Sequence, residues 1–219
     1  MDGSNLEKLP FWKNLTEDEK RLIERNTSIQ HFSKGKLILN SDEACKGLIF
    51  VLSGELRISM ISQEGREITL YRLYPEELCV LSASCILQPI TFETITTATK
   101  DCTVWLIHSS AFEQLMRQNL YLRCFMYELL CNRFSSVVWT MQMILFQGYD
   151  RRLAAFLITE YERTGQKTLQ MTHEQIAQYT NSAREVVARM LKRFASEGYV
   201  AFKRGTITLI DIDGLKKLL

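Results

Sequence analysis

Charged side chains recur at helical spacing near the C-terminal end of the sequence, in the stretch TNSAREVVARMLKR. On a helical wheel at ~100° per residue they share one arc of roughly 140° with a small alanine: Arg184, Glu185, Ala188, Arg189 and Lys192. Apolar residues fill the opposite side and would anchor such a helix. A charged arc of this length is suited to lying in a groove, although an ordinary solvated face has the same pattern.

The charge of the chain is unevenly distributed around this arc. Residues 1–147 contain 15 Lys and Arg against 17 Asp and Glu, whereas residues 148–219 contain 12 against 8. A local basic cluster in a chain with a net charge of only +2 is typical of a nucleic-acid contact surface.

Two helix starts lie ten residues apart just before the charged arc. The motif THEQ, which begins at Thr172, and the motif SARE, which begins at Ser182, both satisfy the capping box. Starts this close leave a connection of about three residues, which predicts a helix-turn-helix. Asn181 lies in that connection, and asparagine tolerates the left-handed backbone that such a turn needs.

A basic hairpin is predicted after the second helix. Gly198 can end the helix, and two β-like runs then surround Lys203, Arg204 and Gly205. A helix-turn-helix followed by a basic hairpin is a winged helix. In DNA-binding members the second helix enters the major groove and the wing contacts phosphates.

The residues from 27 to about 107 have a different pattern. Short β-branched and aromatic runs alternate with turn residues, which predicts a small barrel or jelly roll. Gly54 lies inside a strand-like run and predicts a bulge, a sharp bend or a close backbone approach. Gly65 is predicted to supply a positive φ in a hairpin turn. Before the strands, Thr16 and Glu19 indicate a short helix.

A heptad pattern runs through the predicted helical segment from 110 to 147. Eight residues follow one another at intervals of three and four: Leu120, Cys124, Tyr127, Cys131, Phe134, Val138, Met141 and Leu145. We call these residues the seam. A second apolar set on the same helix implies two partners, the barrel and a second copy of the chain. A monomer with a broadly buried helix is the alternative.

The order of these parts resembles the cyclic-AMP receptor and fumarate-nitrate regulator (Crp/Fnr) superfamily. THEQIAQYTNSAREVVARMLKRFASEGYV is similar to its DNA-binding module, and IFVLSGELRISMISQEGREITLYRL to its effector barrel. The resemblance implies an α+β fold: an N-terminal cyclic-nucleotide-binding-like β-barrel (jelly roll), a long dimerisation helix and a C-terminal winged helix-turn-helix. The interruption Gly148-Tyr149-Asp150 suggests two domains, with the helix at about 111–147 closing the first domain, 1–147, and with 148–219 as the second. Asp150 is expected to cap a helix that ends at Gly165.

The resemblance also assigns roles in DNA binding. Arg184 and Arg189 would read guanine O6 and N7, and Glu185 would read cytosine N4. Glu185 has a second interpretation, since it could simply close the capping box begun by Ser182. Phosphate contacts are expected from six residues: Thr172, His173, Ser182, Lys192, Lys203 and Arg204.

The chain departs from the family where a cyclic nucleotide would bind. The matching stretches read EELCVLSASC and ITFETITTAT, and the phosphate-binding arginine is absent near Phe92. Cyclic AMP is therefore disfavoured as the effector, which stays unidentified. The residues expected to line its pocket are Leu78, Cys79, Val80, Leu81, Ser82, Phe92, Thr94 and Tyr127.

Metal, haem and disulfide chemistry have weak support. The six cysteines form no CxxC pair, and the histidines His31, His108 and His173 have no metal-site spacing. No cysteine precedes Cys45, whereas iron–sulfur members of the family carry theirs near the N-terminus. A haem ligand or redox thiol at Cys79 or Cys85 is conceivable, but buried packing cysteines are favoured.

The leading hypothesis is a homodimeric transcription factor and not an enzyme. Its expected partners are double-stranded DNA, a small-molecule effector and, if it activates, RNA polymerase. A cupin-like barrel enzyme, or a redox or haem sensor, with the winged helix as a tether is the alternative. No apolar run reaches the ~18 residues that span a bilayer, and no signal peptide is visible, so a cytoplasmic protein without membrane contact is expected.

Overall fold

The computed structural model describes most of the chain: residues 3–39, 47–62, 64–65, 67–83 and 94–219. The chain divides into two compact units. The first comprises residues 1–66 and 70–137, and the second comprises residues 67–69 and 138–219.

Two four-stranded sheets form most of the first unit. The strands are β1 Thr27–Phe32, β2 Leu37–Leu39, β3 Gly47–Ser53, β4 Leu56–Ile61, β5 Glu67–Leu73, β6 Leu78–Cys79, β7 Ile95–Ala98 and β8 Cys102–His108. One sheet has the order β1-β8-β3-β6 and the other β2-β7-β4-β5. Apolar residues of both sheets, such as Val51 and Val104 from one and Ile58 and Leu73 from the other, form one buried cluster. The prediction of a jelly-roll arrangement is confirmed.

Glycines make the turns at both ends of β4. Gly54 joins β3 to β4 with φ +90°, and a Cβ at this position would lie 2.4 Å from the carbonyl oxygen of Asp101. Both the sharp bend and the close backbone approach predicted there are confirmed. Gly65, after β4, has φ +80° as predicted.

Three helices share an apolar core with one of these sheets. Helix α1 spans Glu17–Arg25 and begins with the predicted capping box of Thr16 and Glu19. Helix α2 spans Ser109–Gln118, and helix α3 spans Leu120–Phe146. The buried residues of α1, α2 and α3 share a second apolar cluster with strands β3 and β8.

The long helix predicted for about 111–147 is confirmed, but it begins only at Leu120, because the chain breaks at Asn119. This residue has an extended backbone, with φ −102° and ψ 106°. Its side-chain oxygen accepts from the Leu122 N–H at 2.9 Å, and its amide donates to the carbonyl oxygen of Asn14 at 3.2 Å. Asn119 therefore starts α3 as a cap, and a distant backbone group holds it in place.

The second unit is a small helical domain with a three-stranded sheet. Its elements are α4 Tyr149–Thr164, β9 Thr168–Gln170, α5 His173–Tyr179, α6 Arg184–Ser196, β10 Val200–Lys203, β11 Thr206–Leu209 and α7 Ile212–Lys216. The sheet has the order β10-β11-β9. Strand β9 and helix α7 are not apparent from the sequence pattern, because each is too short to show a period.

One apolar core holds this unit together. Leu157 of α4, Ile176 of α5, Leu191 and Phe194 of α6 and Ile207 of β11 are all buried in it. Helix α4 ends at Gly165 with φ 68°, as predicted. The prediction that Asp150 caps α4 is wrong, since Gly148 is the N-cap and Asp150 lies inside the first turn.

Candidate nucleic-acid interface

A tight turn connects α5 to α6. The predicted capping box at Thr172 is present, with its side chain accepting from the Gln175 N–H at 3.2 Å. Asn181 has the predicted left-handed backbone, with φ 52°. The Ser182 N–H donates to the carbonyl oxygen of Ala177 at 2.9 Å, which closes the turn against α5. The predicted helix-turn-helix is confirmed.

The start of α6 differs from the expectation. Its N-cap is Ala183, which makes no side-chain cap hydrogen bond, so the capping box predicted for Ser182 and Glu185 is wrong. Ser182 lies one position before this N-cap and is half-buried. Glu185 is therefore not engaged in a cap, and its carboxylate is exposed.

Helix α6 presents its charged arc to the outside. Arg184, Glu185, Arg189 and Lys192 are exposed, whereas Val187, Leu191 and Phe194 are buried on the other side. Among the described residues, none makes an ion pair or a side-chain hydrogen bond with Arg184, Glu185 or Arg189. The small Ala188 is half-buried between them. This arrangement leaves two guanidinium groups and a carboxylate available to an external surface.

Arg193 on the same helix is different. Its Nε lies 2.7 Å from Glu197 Oε1, and this hydrogen bond raises the pKa of the Arg193 guanidinium. Its Nη1 lies 3.9 Å from Asp150 Oδ2. The Arg193 side chain is thus already paired with acidic residues of the same unit.

The wing follows α6. Gly198 ends the helix with φ 80°, and β10 and β11 pair in register from Val200 with Leu209 to Lys203 with Thr206. Lys203 and Arg204 are exposed at the tip of this hairpin. The predicted basic hairpin is confirmed.

The remaining residues expected to contact phosphate lie at the start of α5 and in the turn. Thr172 is exposed, but its hydroxyl is occupied by the capping box. His173 is half-buried, with its ring 5.8 Å from that of Phe202 on β10. Ser182 is half-buried beside Tyr149.

The seam on α3 is exposed along its whole length. Its two cysteines are exposed, and the exposed fraction of its apolar side chains ranges from 37% at Val138 to 68% at Phe134. Only Leu122 and Met126 of this helix are buried. An unbroken apolar stripe facing outward on one helix is a surface that a partner would cover.

Two models of known protein families match this chain. A model of the cyclic nucleotide-binding domain matches residues 29–119, and a model of the Crp-like helix-turn-helix domain matches residues 151–218. A solved protein from Eubacterium rectale, described as a transcriptional regulator of the crp/fnr family, is 41% identical to the chain. The alignment covers 97% of this chain and 98% of that one, with a TM-score of 0.88.

The chain belongs to the Crp/Fnr family of transcriptional regulators. It is therefore a DNA-binding regulator of the Crp/Fnr type, with the α+β fold and the order of domains expected from the sequence.

Other Crp/Fnr relatives are more distant or match in part. The transcriptional regulator flp of Lacticaseibacillus casei is 24% identical over 218 residues, which cover 95% of this chain and 94% of flp. The transcriptional regulator SdrP of Thermus thermophilus is 35% identical over 78 residues, so this match spans 33% of the chain and 39% of SdrP.

The residues expected to line an effector pocket in this Crp/Fnr chain lie in different surroundings. Leu78, Cys79, Val80 and Ser82 are buried, and Thr94 is half-buried. Tyr127 is 46% exposed. The side chain of Leu81 and the whole of Phe92 and Cys85 lie outside the described residues.

The first unit contains a buried polar contact that the sequence pattern does not reveal. The Arg133 guanidinium of α3 lies 5.1 Å from the centre of the Tyr71 ring, and its Nη2 lies 3.3 Å from Glu77 Oε1. Burial raises the pKa of the Tyr71 hydroxyl well above its usual value. The feature of the sequence that could have indicated this contact is Arg133 itself, a charged residue in a largely neutral stretch of α3.

Metal-binding clusters and membrane-spanning helices are both absent from the described part of the chain. Its residues contain no group of three or more His, Cys, Asp or Glu side chains placed to hold a metal ion. None of its helices is both long and apolar enough to cross a membrane.

Proposed function

We propose that this Crp/Fnr regulator is a homodimer that reads a pseudo-palindromic DNA site with α6 and responds to an effector other than a cyclic nucleotide. The observation that carries the proposal is the set of exposed charges on α6. Arg184, Glu185 and Arg189 have no partner among the described residues and lie on a helix whose opposite side is buried.

Base recognition follows from the chemistry of these side chains. A guanidinium group can donate two hydrogen bonds to guanine O6 and N7, which suits Arg184 and Arg189. A carboxylate can accept from cytosine N4, which suits Glu185. The missing capping box supports this role for Glu185, because the alternative use of its carboxylate is gone.

Phosphate contacts would come from the residues around this helix. Lys203 and Arg204 at the wing tip and Lys192 on α6 are exposed cations, and they are the strongest candidates. Thr172, His173 and Ser182 could donate from the start of α5 and from the turn. In these positions they would fix the register of α6 without reading sequence.

The homodimer is supported by the seam. In a coiled coil, apolar residues at intervals of three and four face the partner helix. All eight seam residues are exposed in the single chain, and a second copy of α3 offers a surface that matches them. We propose that the seam from Leu120 to Leu145 is the dimer interface and that the DNA-binding domain begins at Gly148.

The effector is proposed to bind in the first unit, near the pocket residues Leu78, Cys79, Val80, Leu81, Ser82, Phe92, Thr94 and Tyr127. The stretch 76–99 contains no Lys or Arg, whereas it contains Glu76, Glu77 and Glu93. No cation in this stretch could neutralise a cyclic phosphate, which supports an effector of another class.

We further propose a cytoplasmic protein without catalytic activity that contacts RNA polymerase if it activates transcription.

Selection of DNA by the purified full-length chain tests this function. Duplexes with a random central segment are bound at low salt, separated by gel shift and sequenced after several rounds. We expect an enriched site with two inverted half-sites about 10–10.5 base pairs apart, the spacing of one helical turn.

The controls for this experiment separate sequence-specific binding from dimer formation. A chain carrying both Arg184→Ala and Arg189→Ala should enrich no sequence while it keeps its fold by circular dichroism. Failure of the unmodified chain to enrich any sequence would refute sequence-specific binding. Enrichment of one half-site without a symmetric mate would refute the homodimer.

A further inference from the structure

Tyr149, the first residue of α4, lies against the turn of the helix-turn-helix. Its hydroxyl oxygen is 3.0 Å from Thr180 Oγ1. The Thr180 hydroxyl donates its single proton to the carbonyl oxygen of Ile176 at 2.7 Å, so the Tyr149 hydroxyl must be the donor to Thr180. Tyr149 thus connects to Thr180, the residue directly before Asn181.

The Tyr149 side chain is half-buried at this point. Thr180 is 7% exposed, and the Tyr149 ring packs against the apolar core of the second unit. Burial raises the pKa of Tyr149 to about 12, although the hydrogen bond with Thr180 and the charge of Arg152 oppose the rise. The hydroxyl therefore stays protonated and able to donate at neutral pH.

Helix α6 has no side-chain cap of its own. Ala183 precedes it and cannot accept from the first N–H groups of the helix. Val187, Leu191 and Phe194 anchor the later turns in the core, but the first turn carries the exposed Arg184 and Glu185. The position of that first turn depends on the connection before it, and Tyr149 holds the start of that connection by its hydrogen bond to Thr180.

We propose that Tyr149 is a positioning residue for base recognition: its hydroxyl fixes Thr180 at the end of α5 and thereby sets the direction of the first turn of α6. The proposal rests on the proposed function, since it requires α6 to read bases. Tyr149 itself contacts no DNA in this scheme. Its removal should affect the bases read by the first turn more than the base read by Arg189.

Replacement of the hydroxyl tests the proposal with little change in packing. Tyr149→Phe keeps the ring, and Thr180→Val keeps the shape of its partner. Tyr149→Phe should bind the selected DNA site about three- to tenfold more weakly, the effect of removing one hydrogen bond. Thr180→Val should bind it at least as weakly, because it also removes the bond to the Ile176 carbonyl oxygen. Binding to random DNA should not change, because phosphate contacts do not depend on the direction of the first turn.

Tyr161→Phe is the matched control. Tyr161 also lies on α4 and packs against the same core, and no described residue hydrogen-bonds to its hydroxyl. This variant should bind both DNAs as the unmodified chain does. Thermal unfolding of all variants shows whether each is folded at the temperature of the binding measurement.

Two measurements separate positioning from a general structural effect. In a double-mutant cycle, Tyr149→Phe combined with Thr180→Val should bind no more weakly than Thr180→Val alone, because that variant already removes the bond that Tyr149→Phe removes. In a panel of base-substituted sites, Tyr149→Phe should relax the preference at the base pairs that Arg184→Ala also relaxes. The base pair that responds to Arg189→Ala should keep its preference.

The outcomes distinguish the positioning role of Tyr149 from the proposed function of the chain. If the unmodified chain selects a DNA site but Tyr149→Phe behaves like Tyr161→Phe, the positioning role is refuted and the proposed function stands. Equal relaxation at every base pair, or reductions in affinity that multiply in the double variant, would also refute it. If the unmodified chain selects no site, the proposed function itself fails.

Discussion

Two exposed helix faces of this chain have opposite chemistry. The outer face of α6 carries Arg184, Glu185, Arg189 and Lys192, whereas no residue of the seam on α3 is charged. Water solvates the first face well and the second poorly, so only the apolar seam is costly to leave uncovered. The difference suggests two kinds of partner: a charged, grooved molecule for α6 and a second copy of α3 for the seam.

A charge placed on the seam should have the largest effect. In Phe134→Glu, two carboxylates would meet in an apolar interface, in place of two buried rings worth about 1.5–3 kcal/mol each. We expect the association constant of the dimer to fall on the order of a thousandfold, with binding to the selected DNA site falling in step. Sedimentation equilibrium and gel shift measure the two effects.

Asn132→Glu is the matched control for the seam. Asn132 is exposed on the same helix but lies outside the heptad pattern, so the same added charge should leave the dimer intact. A dimer that survives Phe134→Glu unchanged would show that the seam is not the interface.

Removal of one base-reading group should have an intermediate effect. Arg189→Ala is expected to cost about 1–3 kcal/mol of binding to the selected site and to relax the preference at one base pair in each half-site. The dimer should be unaffected, because Arg189 is not on the seam. Gel shifts against a panel of base-substituted sites measure both quantities.

Arg193→Ala provides the comparison within α6. Its guanidinium is already bound to Glu197, so its removal should change DNA affinity little. Equal weakening of every site in the panel by Arg189→Ala would instead make Arg189 a phosphate contact.

The smallest effect is expected at the wing. Lys203→Ala should weaken binding to all DNA sequences alike by a few-fold. It should also reduce the slope of log affinity against log salt by about 0.9 for each phosphate that the lysine no longer neutralises, hence by nearly two for a dimer. Lys217→Ala, an exposed lysine in the last turn of the unit, is the control and should leave the slope unchanged. A change in base preference with Lys203→Ala would contradict a phosphate role.

Much of the DNA-binding unit could be predicted because its signals are local. The capping box at Thr172, the left-handed Asn181 and the helix stop at Gly198 each depend on a few neighbouring residues, and all three are present. The cap predicted at Ser182 was wrong, because α6 begins one residue later, with Ala183 as its N-cap. The turn before it is held through Thr180 by Tyr149, more than thirty residues earlier in the chain.

In the first unit, too, a local pattern was predicted correctly and a contact between distant residues was missed. The periodicity of the seam located α3, whose first residue is also the first seam residue, Leu120. The break at Asn119 was missed, because its amide is held by Asn14 and Glu19 about a hundred residues away.

The sequence by itself determined the order of the parts, the charged face of α6 and the apolar stripe of α3. Spacing alone decides which side chains share one side of a helix, so these features follow directly from the helical repeat. Only the tertiary structure decided which of those faces stay exposed, where α3 begins, and that a half-buried tyrosine supports the turn before α6. These features depend on contacts between residues far apart in the chain, and a periodic pattern carries no information about such contacts.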